Sequence, residues 1–188
     1  MAVAEPAPGS LFDRIDRVVV SGDEIQEAVG VMGARISEDY AGQNPLLVGV
    51  LTGVVMFMAD LLRAITIPVA VDFMAISQYG SSSGSGTVRI VKDLDLSITG
   101  RHVLFVEDVI DTGLTLDYLL RTLRTRQPAS LRVAVLFDRP YRRLIDIPLD
   151  YRGIELPDEF VVGYGLDVAS YYRNLPLIAT LKPDTRSL

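Results

Sequence analysis

The segment Val103-Leu-Phe-Val-Glu-Asp-Val-Ile-Asp-Thr-Gly-Leu-Thr115 constrains this chain more than any other. Four consecutive apolar residues, Val103 to Val106, suit a strand covered on both faces, as in the interior of a parallel sheet. Glu107 and Asp108 follow at once, and a loop is expected from Glu107 to Gly113. A helix is expected over Leu116 to Arg126, stopped by Pro128, and Leu131 to Phe137 forms the next apolar strand. Strand, loop, helix and strand in this order argue for an α/β domain with a mainly parallel central sheet flanked by helices. In such sheets ligands bind outside the carboxyl ends of the strands, where the two acids stand.

The remainder of the chain fits around this unit. Ser21-Gly-Asp-Glu24 precedes a helical pattern through Ile25, Val29, Met32 and Ile36. Leu46 to Leu51 reads as a buried strand, Val54 to Ile65 as a helix, and Val69 to Ile76 as a strand opened by Pro68. A polar, glycine-rich stretch, Ser77 to Gly86, leads to a strand over Val88 to Val91. Residues 1–16 are expected to be a loose tail, 17–150 the core with the stretch 77–87 inside it, and 151–188 a small C-terminal annex, too short to bury much alone.

Composition excludes several classes. The net charge of −6 argues against non-specific nucleic-acid binding, which needs Lys and Arg along the phosphates. With no cysteine and only His102, neither a disulfide framework nor a histidine-built zinc site is expected. The uncharged run Leu46 to Ala59 falls short of the roughly 20 apolar residues of a membrane span and is interrupted by Gly53. No secretory leader is evident at the start, and the expected location is the cytoplasm.

Two adjacent acids at a strand end suit a sugar diol, which they engage directly or through a metal ion. Gly113 permits a tight turn with exposed backbone N–H groups, the hydroxyls of Thr112 and Thr115 add donors, and the helix start adds free N–H groups and a favourable dipole. A phosphate monoester fits there. The loop lacks the lysine of a nucleoside-triphosphate P-loop and the G-x-G-x-x-G of a dinucleotide site. Taken alone, Asp111 and Thr115 could equally make a turn and cap a helix.

The whole loop resembles the ribose-phosphate signature of type I phosphoribosyltransferases. Four further motifs are similar to bacterial hypoxanthine-guanine phosphoribosyltransferases: Ala75-Ile-Ser-Gln-Tyr-Gly-Ser-Ser-Ser83, Val88-Arg-Ile-Val-Lys-Asp-Leu-Asp95, Phe160-Val-Val-Gly-Tyr-Gly-Leu-Asp167 and Tyr172-Arg-Asn-Leu-Pro176. The resemblance covers roughly residues 20–183. It implies the fold of that family, with a hood over 151–188 and an active-site lid over 77–87 that carries Tyr79. It also implies a Mg²⁺-dependent displacement of pyrophosphate from 5-phosphoribosyl 1-diphosphate by hypoxanthine or guanine, and a homodimer or homotetramer with no nucleic-acid or membrane partner.

Residue by residue, Glu107 and Asp108 match the acids on the ribose hydroxyls, and Asp111 matches the carboxylate that handles the proton of purine N7. Asp111, Thr112, Gly113, Leu114 and Thr115 match the 5-phosphate cradle. Thr52, Gly53, Arg143 and Arg173 match the pyrophosphate site, although either arginine alone would read as a solvated charge. Arg139, Phe160, Val161 and Asp167 match the base site, and Glu107, Asp108 and Asp167 the metal ligands.

Three positions depart from the family pattern. Thr52 replaces the lysine of Leu-Lys-Gly, before which the family's peptide is cis; whether Leu51–Thr52 is cis stays open. Arg139 replaces the lysine that reads purine O6, and remains a donor of different geometry. Gln78 replaces a serine before the lid tyrosine. A regulator that senses 5-phosphoribosyl 1-diphosphate without turnover is the alternative, and it would be expected to lose base-pocket or metal residues.

Overall fold

The computed structural model describes residues 11–79 and 87–183. In chain order the elements are β1 (Ile15–Val20), α1 (Gly22–Asp39), β2 (Leu46–Leu51), α2 (Val55–Ala64), β3 (Ala70–Tyr79), β4 (Thr87–Lys92), β5 (His102–Ile110), α3 (Leu114–Arg124), β6 (Ser130–Asp138), β7 (Tyr151–Glu155) and β8 (Ile178–Leu181). A single 3₁₀ turn, Pro140–Arg142, follows β6.

Six strands form one sheet in the order β4-β3-β2-β5-β6-β7. All neighbours are parallel except β3 and β4. The alternation within Val103–Val106 explains why that run is continuously apolar. Leu104 and Val106 face the core shared with α1 and α2, whereas Val103 and Phe105 face the core under α3. Both faces are covered, so neither can be polar. The start of α1 is fixed locally by a capping box: Glu24 N–H donates to Ser21 Oγ at 3.2 Å, and Ser21 N–H donates to the Glu24 carboxylate at 2.8 Å.

Four expectations are corrected, the first being the loose tail over 1–16, because Ile15 and Asp16 already belong to β1, which is held by pairing with β8. The loop expected from Glu107 to Gly113 is half strand, because β5 runs on to Ile110 in parallel register with β6, Glu107 opposite Val135 and Ile110 opposite Asp138. Two acids interrupt an apolar pattern, but the backbone ladder of a long neighbouring strand continues past them. Likewise Tyr151–Glu155, expected in the annex, is the edge strand of the main sheet, anchored by a Tyr151 that is 1% exposed. Helix α3 also lies two residues earlier than expected, starting directly after Gly113.

Beyond β7 the chain builds a small hood with its own core of Val162, Val168, Tyr172, Leu175 and Leu181. Strand β1 pairs with β8 in this hood, antiparallel, with Ile15 opposite Leu181. Residues 80–86, the middle of the lid expected over 77–87, lie outside the described residues. Among the described residues no helix is long and apolar enough to cross a membrane.

Candidate active site

The carboxyl ends of β2, β5 and β6 open on the same side, and the hood closes over them. A cleft of about 620 Å³ lies between. Its lining includes Thr52 and Gly53 after β2, Glu107, Asp108 and Asp111 from β5 and its loop, Arg139 after β6, and Phe160, Val161, Asp167 and Arg173 from the hood. An adjoining hollow of about 350 Å³ shares Glu107 and Asp111 and is lined further by Thr112, Gly113 and Thr115. Most of the residues expected at the site thus converge, from segments far apart in the chain.

Asp108 is buried, and Glu107 beside it is partly buried. Asp108 Oδ1 accepts the Val109 N–H at 2.9 Å, whereas Glu107 Oε2 is buried with no hydrogen-bond partner among the described residues. Burial pushes the Asp108 carboxyl up to about 6, against the pull of backbone N–H groups and Arg173. Burial and the Asp108 charge hold the Glu107 carboxyl well above the usual carboxylate range. Two adjacent acids, one buried and one partly so, favour a cation between them.

The loop after β5 turns at Gly113, whose φ of 82° lies in the left-handed region. Helix α3 begins at Leu114, and its first N–H groups have no intrahelical partner. The Leu114 side chain is half exposed and lines neither hollow. Thr112 Oγ1 accepts the Leu114 N–H at 3.4 Å, which folds that hydroxyl into the turn.

The Leu51–Thr52 peptide is cis. Gly53 follows, packed so closely that an added Cβ would collide with Asp108 Oδ2. Gly165 of the hood, at φ 99°, is equally tight against the Gly53 carbonyl. Arg173 joins these parts: its Nη1 donates to the Gly165 carbonyl and its Nη2 pairs with Asp167 Oδ1 at 2.8 Å. Asp167 Oδ2 accepts the Ser170 N–H at 2.7 Å.

On the opposite wall, Arg139 is buried. Its Nη2 donates to the Glu159 carbonyl at 3.0 Å and its Nη1 lies 3.4 Å from Asp111 Oδ1. Its Nε is buried without a partner among the described residues. Phe160, 46% exposed, offers an aromatic face at the mouth, and Val161 behind it is buried.

Besides Leu114, Arg143 is an expected site residue placed outside both hollows. It is bound instead to Asp138 and to the Asp111 carbonyl. Tyr79 ends β3, next to residues outside the described part. Conversely, sequence reasoning assigned no role to Gly165 or Asp138. Gly165 lies inside a quoted motif, yet its tight approach to Gly53 depends on a meeting of distant segments that local pattern does not encode.

Comparison with known proteins accounts for this convergence. The family model for the phosphoribosyl transferase domain matches residues 21–169. The hypoxanthine-guanine phosphoribosyltransferase of Streptococcus agalactiae is 50% identical over 178 residues, covering 94% of this chain and 99% of that protein. This chain belongs to the hypoxanthine-guanine phosphoribosyltransferase family. The Bacillus subtilis member is 49% identical over 170 residues, covering 90% of this chain and 94% of its own length. A crystal structure of a hypoxanthine phosphoribosyltransferase from Staphylococcus aureus superposes with a TM-score of 0.90 at 41% identity, over 97% of this chain and 100% of that one. The fold described above is therefore that of a type I phosphoribosyltransferase, a glycosyl-transferring enzyme.

Proposed function

We propose that the chain transfers the 5-phosphoribosyl group of 5-phosphoribosyl 1-diphosphate to hypoxanthine or guanine, releasing pyrophosphate. The observation that carries this reading is the junction of the two hollows at Glu107 and Asp111. It sets a phosphate cradle, a diol-binding acid pair and a base wall at successive positions along one sugar phosphate. The 5-phosphate lies against Asp111 to Thr115, where backbone N–H groups and the α3 dipole favour an anion. Glu107 and Asp108 accept hydrogen bonds from the ribose hydroxyls, and Thr52, Gly53 and Arg173 face the pyrophosphate.

The base lies between Phe160 and the Val161 backbone, with Arg139 donating to the exocyclic O6. A 6-oxo group accepts such a bond, whereas a 6-amino group leaves the buried guanidinium opposite another donor, which favours 6-oxopurines. Asp111, beside Arg139, takes the proton at purine N7 as the new glycosidic bond forms. A ribose carbon gaining positive charge is stabilised by the acids below it.

Magnesium fits the site. Glu107 Oε2 is a buried oxygen with no partner among the described residues, and it lies beside the buried Asp108 carboxyl, an oxygen pair that suits a hard cation. Glu107 and Asp108 would hold one ion and Asp167 would serve a second, and the ions would neutralise the diphosphate as its charge grows. Among the described residues no cluster of three or more acids or histidines forms a metal cage; an ion here would complete its shell with diphosphate oxygens and water, as magnesium does.

The test is an assay of the purified chain with each base, 5-phosphoribosyl 1-diphosphate and Mg²⁺. Nucleotide and pyrophosphate should form in equal amounts, and chelator should stop the reaction. Binding of the sugar diphosphate without turnover would favour a regulator instead. Sedimentation of the same preparation distinguishes the homodimer from the homotetramer expected of this family.

A further inference from the structure

One ionic cluster built on a buried carboxylate stands outside the cleft. Asp138, the last residue of β6, has a side chain only 5% exposed, and two guanidinium groups enclose it. Arg152 Nε, from β7, lies 2.6 Å from Oδ2, and Arg152 is braced by Glu155 at 2.7 Å. Arg143, only 15% exposed, binds Oδ1. Taking such charges out of water is costly unless their protons and lone pairs are well used.

Arg143 uses its guanidinium twice. While its Nη2 holds Asp138, its Nε donates to the Asp111 carbonyl at 3.1 Å. The residues that follow continue the contact: the N–H groups of Leu144 and Ile145 both reach the Thr112 carbonyl, at 3.0 and 3.2 Å. A Cβ on Gly113 would meet the Ile145 carbonyl at 3.1 Å and Arg143 Cδ at 3.3 Å. The segment after the 3₁₀ turn is thus pressed against the back of the phosphate loop.

Peptide planarity gives this backing a consequence at the front. In a trans peptide the carbonyl of one residue and the N–H of the next point in opposite directions. Fixing the Asp111 carbonyl therefore aims the Thr112 N–H, and fixing the Thr112 carbonyl aims the Gly113 N–H. Both carbonyls are held from behind, so both N–H groups turn away from the 143–145 segment.

We propose that Arg143, locked by Asp138, is a positioning residue of the phosphate cradle: it aims the Thr112 and Gly113 N–H groups at the 5-phosphate. The proposal rests on the phosphoribosyltransferase reading above. It gives Arg143 an action through the loop in place of a direct contact with pyrophosphate.

The test uses the full chain and two probes that divide the substrate. Ribose 5-phosphate carries the 5-phosphate alone, and inorganic pyrophosphate with Mg²⁺ carries the other end. Calorimetric titration of each is compared for the wild type, Arg143→Met, Arg143→Lys and Asp138→Asn. Arg152 still neutralises Asp138 in Arg143→Met, and methionine keeps an apolar stem beside Gly113, so this variant is built to fold. Arg143→Met and Asp138→Asn should each weaken ribose 5-phosphate about tenfold, the scale of one charge-assisted hydrogen bond, and leave pyrophosphate affinity unchanged. Arg143→Lys, which keeps the charge, should recover part of the loss.

The opposite pattern, pyrophosphate lost and ribose 5-phosphate kept, makes Arg143 a direct ligand and overturns the proposal. Unchanged affinity for both probes in folded variants overturns it too. A wild type that binds ribose 5-phosphate without forming nucleotide would sink the enzymatic reading alone, because the cradle would still be tested.

Discussion

Asp108 Oδ2 occupies the space that a side chain on Gly53 would need. The Gly53 carbonyl fills the matching space beside Gly165, so the loop after β2, the acidic strand end and the hood meet with no room for a methyl group. Gly53→Ala should displace Asp108 and the hood together. Turnover should fall about a hundredfold, the scale of an ångström-sized misplacement near reacting atoms. Steady-state kinetics with a melting curve would check this, and normal turnover in a folded variant would mean that Asp108 moves without consequence.

The buried acids predict a stability change of opposite sign to the activity change. Asp108 has an ordinary value of 3.8 and is raised to about 6 in the fold. A raised acid keeps its proton in the folded state where the unfolded chain has released it. The stability of metal-free protein therefore falls as pH rises through the window between those values, and levels off above it. Asp108→Asn removes that loss. In chelator the variant should be more stable than wild type above the window, by on the order of 1–3 kcal/mol, and should lose the advantage below it. Denaturant titration on either side of the window decides; a constant difference would mean that the carboxyl does not titrate between the two states.

For Asp111 the expected outcome is kinetic. Asp111→Asn keeps size and shape but removes the proton-accepting oxygen, so single-turnover nucleotide formation should fall by about 10²–10⁴-fold. Ribose 5-phosphate affinity should change little, because the loop backbone is held by Arg143 and by the Leu144 and Ile145 N–H groups. A parallel collapse of binding and chemistry would make Asp111 chiefly a shaper of the loop.

Arg139→Ala should weaken the use of hypoxanthine and guanine about tenfold to a hundredfold, the loss of a charge-assisted hydrogen bond in a desolvated pocket. Affinity for 5-phosphoribosyl 1-diphosphate should be spared. Competition assays with both substrates test this, and equal losses would place Arg139 with the sugar phosphate.

What sequence disclosed follows from how local each signal is. The capping box at Ser21 and Glu24, the two-faced burial of Val103–Val106 and the turn at Gly113 are set by near neighbours, and each can be read in a short window. The end of β5 is different: Val109 and Ile110 remain in the strand because β6 extends alongside them, a fact absent from their own sequence. Arg143 shows the same limit at the site. The family resemblance placed it near pyrophosphate, yet its direction is settled by Asp138, a carboxylate whose burial between two arginines arises only once β6 and β7 lie together. Charges in exposed loops carry little directional information until their partners are known.

The pairing of Ile15–Val20 with Ile178–Leu181 has a consequence for the order of assembly. A strand made among the first residues has as its ladder partner a strand made among the last. The six-stranded sheet, whose final strand ends at Glu155, contains all its own members before that partner exists. On a ribosome the floor of the cleft is therefore available for folding before its roof. The hood, with Phe160, Asp167 and Arg173, closes as a late event whose loop-closure cost spans nearly the whole chain.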